Sequence, residues 1–277
     1  MISCILHHHY YEEKGEKLEK ERIVTFDTVK LWTITQGKGL PVMLCNGGPG
    51  YCDYLAPVAA MIDDLVQVHR WEQRGCGRSA AIPPYDHATC LADLERLREY
   101  SGYERWIIGG HSWGADLALD YATTYPHRVL ALIYLAGTGI SQDWWPEFRQ
   151  AQQERSEPLP VFLFPFNEEV YRAGQRSRAD YLQDPQLVER LRSLELPAVI
   201  IQGENDLRPN WPAEQVAYLL PQARFSVIPE AAHCLWLTHP QELRHLLRSF
   251  LQEILPPLSS FTCSPVSRSR GKRGSRG

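Results

Sequence analysis

Residues 110–114 read Gly110-His111-Ser112-Trp113-Gly114, and the rest of the chain is best read outward from them. They follow the apolar run Trp106-Ile107-Ile108-Gly109 and precede Ala115-Asp116-Leu117-Ala118-Leu119-Asp120-Tyr121-Ala122, a stretch of helical character. Gly-x-Ser-x-Gly alone is a weak signal. Between a strand and a helix it describes a nucleophile elbow, a turn tight enough to hold Ser112 in a strained backbone conformation. Glycine is needed at 110 and 114 because a Cβ at either position would collide with the neighbouring strand or helix. The turn lifts the Ser112 hydroxyl out of the sheet and aims a helix N-terminus at whatever the hydroxyl attacks. A serine in an ordinary loop is the bland alternative, and the flanking sequence argues against it.

Short apolar runs alternate with helical patterns on both sides of the elbow, which predicts strands and helices wound into a mostly parallel sheet. Ile23–Phe26 and Val29–Thr35 form a leading hairpin, Val42–Cys45 a buried strand ending in Asn46-Gly47-Gly48-Pro49-Gly50, and Leu65–Trp71 the next strand after a helix over Ala56–Asp64. Leu91, Leu94 and Leu97 among charges predict an amphipathic helix over Ala88–Tyr100. Val129–Leu135, Leu196–Ile201 and Phe225–Ile228 supply further strands, and a helix from about Gln241 to Ile254 closes the pattern. Between Gly139 and Leu196 the alternation breaks into an aromatic-rich stretch, with Trp144-Trp145-Phe148 and Phe162, Phe164 and Phe166. The expected organisation is therefore an N-terminal extension (1–20), a core (21–139 and 196–255), a lid (140–195) and a basic tail (256–277).

Bulk properties narrow the class. A chain of 277 residues with 44% hydrophobic content suits one large α/β core. No run approaches the roughly 18 apolar residues of a membrane span, and the N-terminus lacks the basic start of a secretory signal. The seven cysteines (4, 45, 52, 76, 90, 234 and 263) are odd in number and form no Cys-x-x-Cys pair, which fits a cytoplasmic protein without disulfides. Arg268, Arg270, Lys272, Arg273 and Arg276 make the tail basic, while the remaining 24 Lys and Arg face 33 acids, a body charge of about −9. Such a body argues against nucleic acid as the main partner. A solvated tail is expected to be disordered, and no metal or cofactor is called for. The His7-His8-His9 run reads as part of a solvated terminus. Oligomeric state is not written in the sequence.

A serine hydroxyl needs a base within hydrogen-bond reach and a third group to orient that base. Open α/β sheets put working residues at the carboxyl ends of strands. Asp206 follows Val199–Ile201, and His233 follows Phe225–Ile228, so the order Ser112, Asp206, His233 matches a nucleophile–acid–base arrangement. Glu204 and Asp143 are the alternative acids. An oxyanion hole would use the Trp113 backbone N–H and that of Gly48 in the loop after Val42–Cys45. His111 is read as support for the elbow. Trp144, Trp145 and Phe148 are candidate substrate contacts, which predicts an apolar or small cyclic group beside the scissile bond.

Asn46-Gly47-Gly48-Pro49-Gly50, Glu72-Gln73-Arg74-Gly75-Cys76-Gly77-Arg78-Ser79 and the Ser112 pentapeptide together resemble the α/β-hydrolase group that contains the proline iminopeptidases. The resemblance covers about residues 40–137 and the surroundings of Asp206 and His233. It implies Ser112 as nucleophile, Asp206 and His233 as partners, release of an N-terminal proline from peptides, and a structural Arg74. The family usually has His at 46, Asp at 72 and Gly at 111. Its lid is commonly longer and carries carboxylates for the substrate's amino group, for which Glu147, Glu154, Glu157, Glu168 and Glu169 are the candidates here. The expected activity is thus hydrolysis of an ester or amide in a small-molecule or short-peptide substrate through an acyl-enzyme, with a carboxylesterase or lactonase as the alternative. A non-catalytic receptor on the same scaffold is the rival from another class.

Overall fold

The computed structural model describes residues 19–255. The tail expected at 256–277, residues 1–18 of the expected extension, Cys4, Cys263 and the triple histidine lie outside the described residues. In chain order the elements are β1 (Lys20–Phe26), β2 (Val29–Gly37), β3 (Pro41–Cys45), α1 (Ala56–Ala59), β4 (Gln67–Trp71), α2 (His87–Tyr100), β5 (Trp106–His111), α3 (Trp113–Thr124) and β6 (Val129–Leu135). Then follow α4 (Trp145–Glu154), α5 (Glu168–Tyr181), α6 (Leu187–Arg192), β7 (Ala198–Gly203), α7 (Trp211–Leu219), β8 (Ala223–Ile228), α8 (Leu235–Thr238) and α9 (Pro240–Ile254).

The strands form one sheet in the order β1-β2-β4-β3-β5-β6-β7-β8. β1 and β2 pair antiparallel through a two-residue turn at Asp27 and Thr28, with Asp27 at φ 53°. β2 is antiparallel to β4, and from β4 to β8 every pairing is parallel. The central parallel strands β3, β5, β6 and β7 are buried on both faces because helices cover both. On β6, Leu132 and Tyr134 face the cluster under α2, α3 and α6, while Ala131, Ile133 and Leu135 face the one under α8 and α9. α9 buries Leu243, Leu247, Phe250 and Leu251, a helical stripe against that second cluster.

Two elements depart from the sequence expectation. The helix expected over Ala56–Asp64 is one turn long, because after Ala59 the bonds tighten to three-residue spacing: the N–H of Met61 donates to the Val58 carbonyl and that of Ile62 to Ala59. Met61 and Ile62 still reach the core from this turn, so burial does not need a longer helix. The helices α4 to α6 all lie in the stretch between β6 and β7, where the alternation broke. Among the described residues, no helix is long and apolar enough to cross a membrane.

Candidate active site

Ser112 stands between β5 and α3 at φ 57°, ψ −129°. A serine rarely adopts this backbone, and the surroundings hold it there. A Cβ on Gly114 would lie 2.1 Å from the Cys45 carbonyl oxygen on β3, and one on Gly110 would lie 2.3 Å from the Gly114 carbonyl oxygen. Strand, turn and helix therefore touch backbone to backbone, which is the contact expected of the elbow. The Ser112 N–H donates to the Leu135 carbonyl (2.8 Å), tying the turn to β6.

The loops after β7 and β8 are laced together. The Asn205 N–H donates to the Ala231 carbonyl (2.8 Å) and the Glu230 N–H to the Glu204 carboxylate (3.0 Å). This brings buried Asp206 to buried His233, with Oδ2 and Nδ1 2.6 Å apart. Glu204 is exposed and engaged in the lacing. Asp143 is also exposed and accepts a bond from the Ser141 hydroxyl. Of the three acids weighed from the sequence, Asp206 is the one hydrogen-bonded to the imidazole.

Arg208 was not singled out from the sequence. Its backbone N–H (2.8 Å) and Nη1 (3.0 Å) both donate to Asp206 Oδ1, and Nη1 also donates to Glu157 Oε1 (2.8 Å). Its guanidinium lies 4.5 Å from the Phe148 ring centroid. Burial pushes the Asp206 carboxyl up, but the adjacent His233 and Arg208 outweigh it and hold the group down at about 2. Asp206 is thus a firm acceptor, so the Nδ1–H of His233 is fixed and Nε2 carries the lone pair.

A cavity of about 210 Å³ opens above the elbow, lined by Ser112, Gly48, Trp113, Trp144, Trp145 and Phe148, with Arg178 and Arg208 among its polar residues. Trp144 and Trp145 stack at 4.7 Å, and Phe148 meets Trp144 edge-on at 5.6 Å. All three aromatic candidates therefore face the same space as the serine. The backbone N–H groups of Gly48 and Trp113 donate to no described residue, whereas that of Gly47 is spent on the Tyr54 hydroxyl (2.7 Å). The Ser112 hydroxyl is likewise without a hydrogen bond to another described residue, His233 included.

The remaining motif residues brace loops. Arg74 grips Asp93 with two bonds of 2.6 and 2.8 Å, and fully buried Glu72 accepts from the Asp53 N–H and from Arg78. Asn46 donates to the carbonyls of Tyr51 (3.1 Å) and Cys52 (3.2 Å), closing the loop that carries Gly48. Among the five acids proposed for the insertion, Glu147 accepts from the Trp211 indole and Glu168 pairs with Arg172, while Glu154 and Glu169 are exposed; Glu157 alone bonds to a residue of the cavity wall.

The model of the alpha/beta hydrolase fold family matches residues 41–186, more than half of the chain. The chain belongs to the α/β-hydrolase fold family. Within it, the chain is similar to proline iminopeptidases. That of Neisseria gonorrhoeae is 28% identical over 287 residues, covering 79% of this chain and 90% of the other. That of Neisseria meningitidis serogroup A is 39% identical over 172 residues, spanning 52% of this chain and about half (54%) of that relative. Among solved structures, a Mycobacterium smegmatis proline iminopeptidase superposes with a TM-score of 0.67 at 20% identity, over 85% of this chain and 98% of that one. An esterase from Thermogutta terrifontis superposes with a TM-score of 0.70 at 22% identity, over 85% and 99%. At these identities the superpositions speak to the fold.

Proposed function

We propose that this chain is a serine hydrolase that cuts amide bonds through an acyl-enzyme, releasing an N-terminal proline from short peptides in the cytoplasm. The observation that carries the reading is the Asp206–His233 pair set beside a strained Ser112 elbow that has two unspent amide donors. In the first step the Ser112 hydroxyl attacks the scissile carbonyl while His233 Nε2 takes its proton. This requires the hydroxyl and Nε2 to come within hydrogen-bond reach when the cavity fills, a closure common to sites that are looser when empty. The Gly48 and Trp113 N–H groups hold the oxyanion, and His233 then returns the proton to the leaving amine. Water, deprotonated by the same imidazole, hydrolyses the acyl-enzyme and regenerates the serine.

The aromatic wall of Trp144, Trp145 and Phe148 suits a flat apolar ring such as proline. Residues 140–195 then act as the lid. Buried thiols at Cys45, Cys52, Cys76, Cys90 and Cys234 suit a reducing compartment. Parallel turnover of proline anilide and short acyl nitrophenyl esters tests the specificity. Proline anilide should be the better substrate; ester turnover without anilide cleavage would make the enzyme a carboxylesterase. A fluorophosphonate probe should label Ser112, and an unlabelled protein would leave a receptor.

A further inference from the structure

His111 is buried beside the nucleophile, and no step of the proposed mechanism uses it. Three hydrogen bonds define its state. Nε2 lies 3.0 Å from the carbonyl oxygen of His233, Nδ1 lies 2.9 Å from the Tyr54 hydroxyl, and that hydroxyl lies 2.7 Å from the backbone nitrogen of Gly47. A carbonyl only accepts, so Nε2 carries the proton and Nδ1 is the acceptor. The Tyr54 hydroxyl therefore donates to Nδ1 and accepts from the Gly47 N–H. The bonds run one way, from Gly47 through Tyr54 and His111 to the backbone of His233. Packing repeats the connection: the His111 ring lies 4.5 Å from the His233 ring and 4.7 Å edge-on from Trp236, which also stacks on Tyr54 at 5.9 Å.

We propose, resting on the hydrolase reading above, that His111 is a positioning residue: a neutral imidazole that locks the Gly47–Gly48 loop and the His233 loop into one frame. Gly47 immediately precedes the amide assigned to the oxyanion, and His233 is the assigned base, so the chain joins the two groups that must act on one carbonyl. A histidine suits the task because it presents an acceptor and a donor at opposite edges of one rigid ring. Burial and the neighbouring His233 ring push its imidazole well below the ordinary range, with Arg208 in the same direction, against the smaller opposing effects of the His233 carbonyl and Asp206. His111 therefore stays uncharged and in one tautomer while His233 cycles its proton. A glycine at this position would offer no such link.

The test compares His111→Phe, which keeps a ring and cuts both bonds, with His111→Gln, which keeps one donor and one acceptor, and Tyr54→Phe, which cuts the chain one link earlier. The readouts are kcat and KM on proline anilide and on a short acyl ester, the rate of fluorophosphonate labelling, and the melting temperature. His111→Phe and Tyr54→Phe should each lower kcat and the labelling rate about 10–100-fold with KM within about threefold, the cost of misplaced groups rather than lost binding. The double variant should be no worse than the poorer single one, since one chain is cut twice. His111→Gln should recover to within about fivefold of the parent. A melting temperature that falls while kcat holds, or losses that multiply in the double variant, would overturn the proposal. If His111→Phe does not fold, Tyr54→Phe and His111→Gln decide it, and a parental kcat for Tyr54→Phe overturns it. Ser112→Ala separates the two levels: turnover that survives it removes the hydrolase reading, whereas a dead Ser112→Ala beside a fully active His111→Phe removes this inference alone.

Discussion

Arg208→Met removes one guanidinium from between two buried carboxylates while leaving an unbranched stem against Phe148. The side chains of Asp206 and Glu157 are 2% and 7% exposed, and that of Arg208 is 17% exposed. Asp206 keeps its 2.6 Å bond to His233, but Glu157 loses the hydrogen bond made by Oε1, and its other oxygen already lacks a partner among the described residues. Removing one member of a buried pair costs about 3–5 kcal/mol because the remaining charge is left without compensation. The partial exposure of Arg208 places this case near the lower end, about 3 kcal/mol. For a domain of this size that is a fall in Tm of roughly 6–12 °C. Adding Glu157→Gln removes the stranded charge, so the double variant should regain about 1–2 kcal/mol relative to Arg208→Met. Urea unfolding at pH 7 of the parent, both single variants and the double variant measures the coupling directly. Turnover should fall less than about tenfold in Arg208→Met, whereas Asp206→Asn, which frees the wrong tautomer, should lose about ten-thousandfold. An Arg208→Met protein within about 0.5 kcal/mol of the parent, or strictly additive losses in the double variant, would refute the reasoning.

Ser112→Gly should abolish fluorophosphonate labelling yet raise stability by about 1 kcal/mol, because glycine adopts φ 57° without strain; calorimetry showing a less stable variant would mean that the turn is not strained. Gly48→Ala should cost about a hundredfold in kcat, since its Cβ would meet the Tyr51 ring at 2.5 Å and displace the loop bearing the oxyanion amide, while KM stays near the parental value. Acid stability follows from His69, whose burial pushes the imidazole down to about 4. The unfolded chain binds that proton near pH 6.5, so the stabilisation is fully present above 6.5 and is lost as the pH falls through about 4, by up to roughly 3 kcal/mol. Asp206, depressed to about 2, adds a second loss between about pH 4 and 2. A His69→Gln variant should flatten the slope of unfolding free energy between pH 6.5 and 4, and an unchanged slope would assign that loss elsewhere.

The elbow was legible because its geometry is local. Gly110 and Gly114 are forced by backbone contacts within a few residues of the serine or on the adjacent strand, and the strands announce themselves as apolar runs on both faces. The meeting of Asp206 and His233 was legible from order alone, since each follows a strand of a parallel sheet. What the sequence hid lies in pairings across long separations. Arg208 reads as a solvated loop cation until Glu157, 51 residues away, is folded against it. His111 and Tyr54 are 57 residues apart, and nothing local announces their bond. The helices of the insertion were equally hidden, because α4 begins at a Trp-Pro pair and the buried stripe of α5, Val170, Gly174 and Arg178, holds one large apolar side chain, too few to stand out from the aromatic background.

The insertion is tied to the site at three places, and the ties explain why its sequence and the catalytic elements must change together. At one end of the bare stretch between α4 and α5, Glu157 holds Arg208 and through it the loop of Asp206. At the other, Asn167 donates its backbone N–H to the Gly50 carbonyl and its side chain to the Gly75 carbonyl, both at 2.9 Å, anchoring the loop that follows Gly48. Farther on, buried Arg178 donates from α5 to Asp120 on α3 (3.0 Å) and to the Gly139 carbonyl (2.8 Å) while lining the cavity. Acid loop, oxyanion loop and nucleophile helix each receive one tether from the segment that also supplies Trp144, Trp145 and Phe148. A substitution that widens the aromatic wall for a larger substrate therefore acts on α4, close to the Glu157 that holds Arg208 against Asp206. Substrate range and base orientation are mechanically one problem in this molecule, and a broadened variant should need compensation at Glu157 or Arg208 to keep its rate.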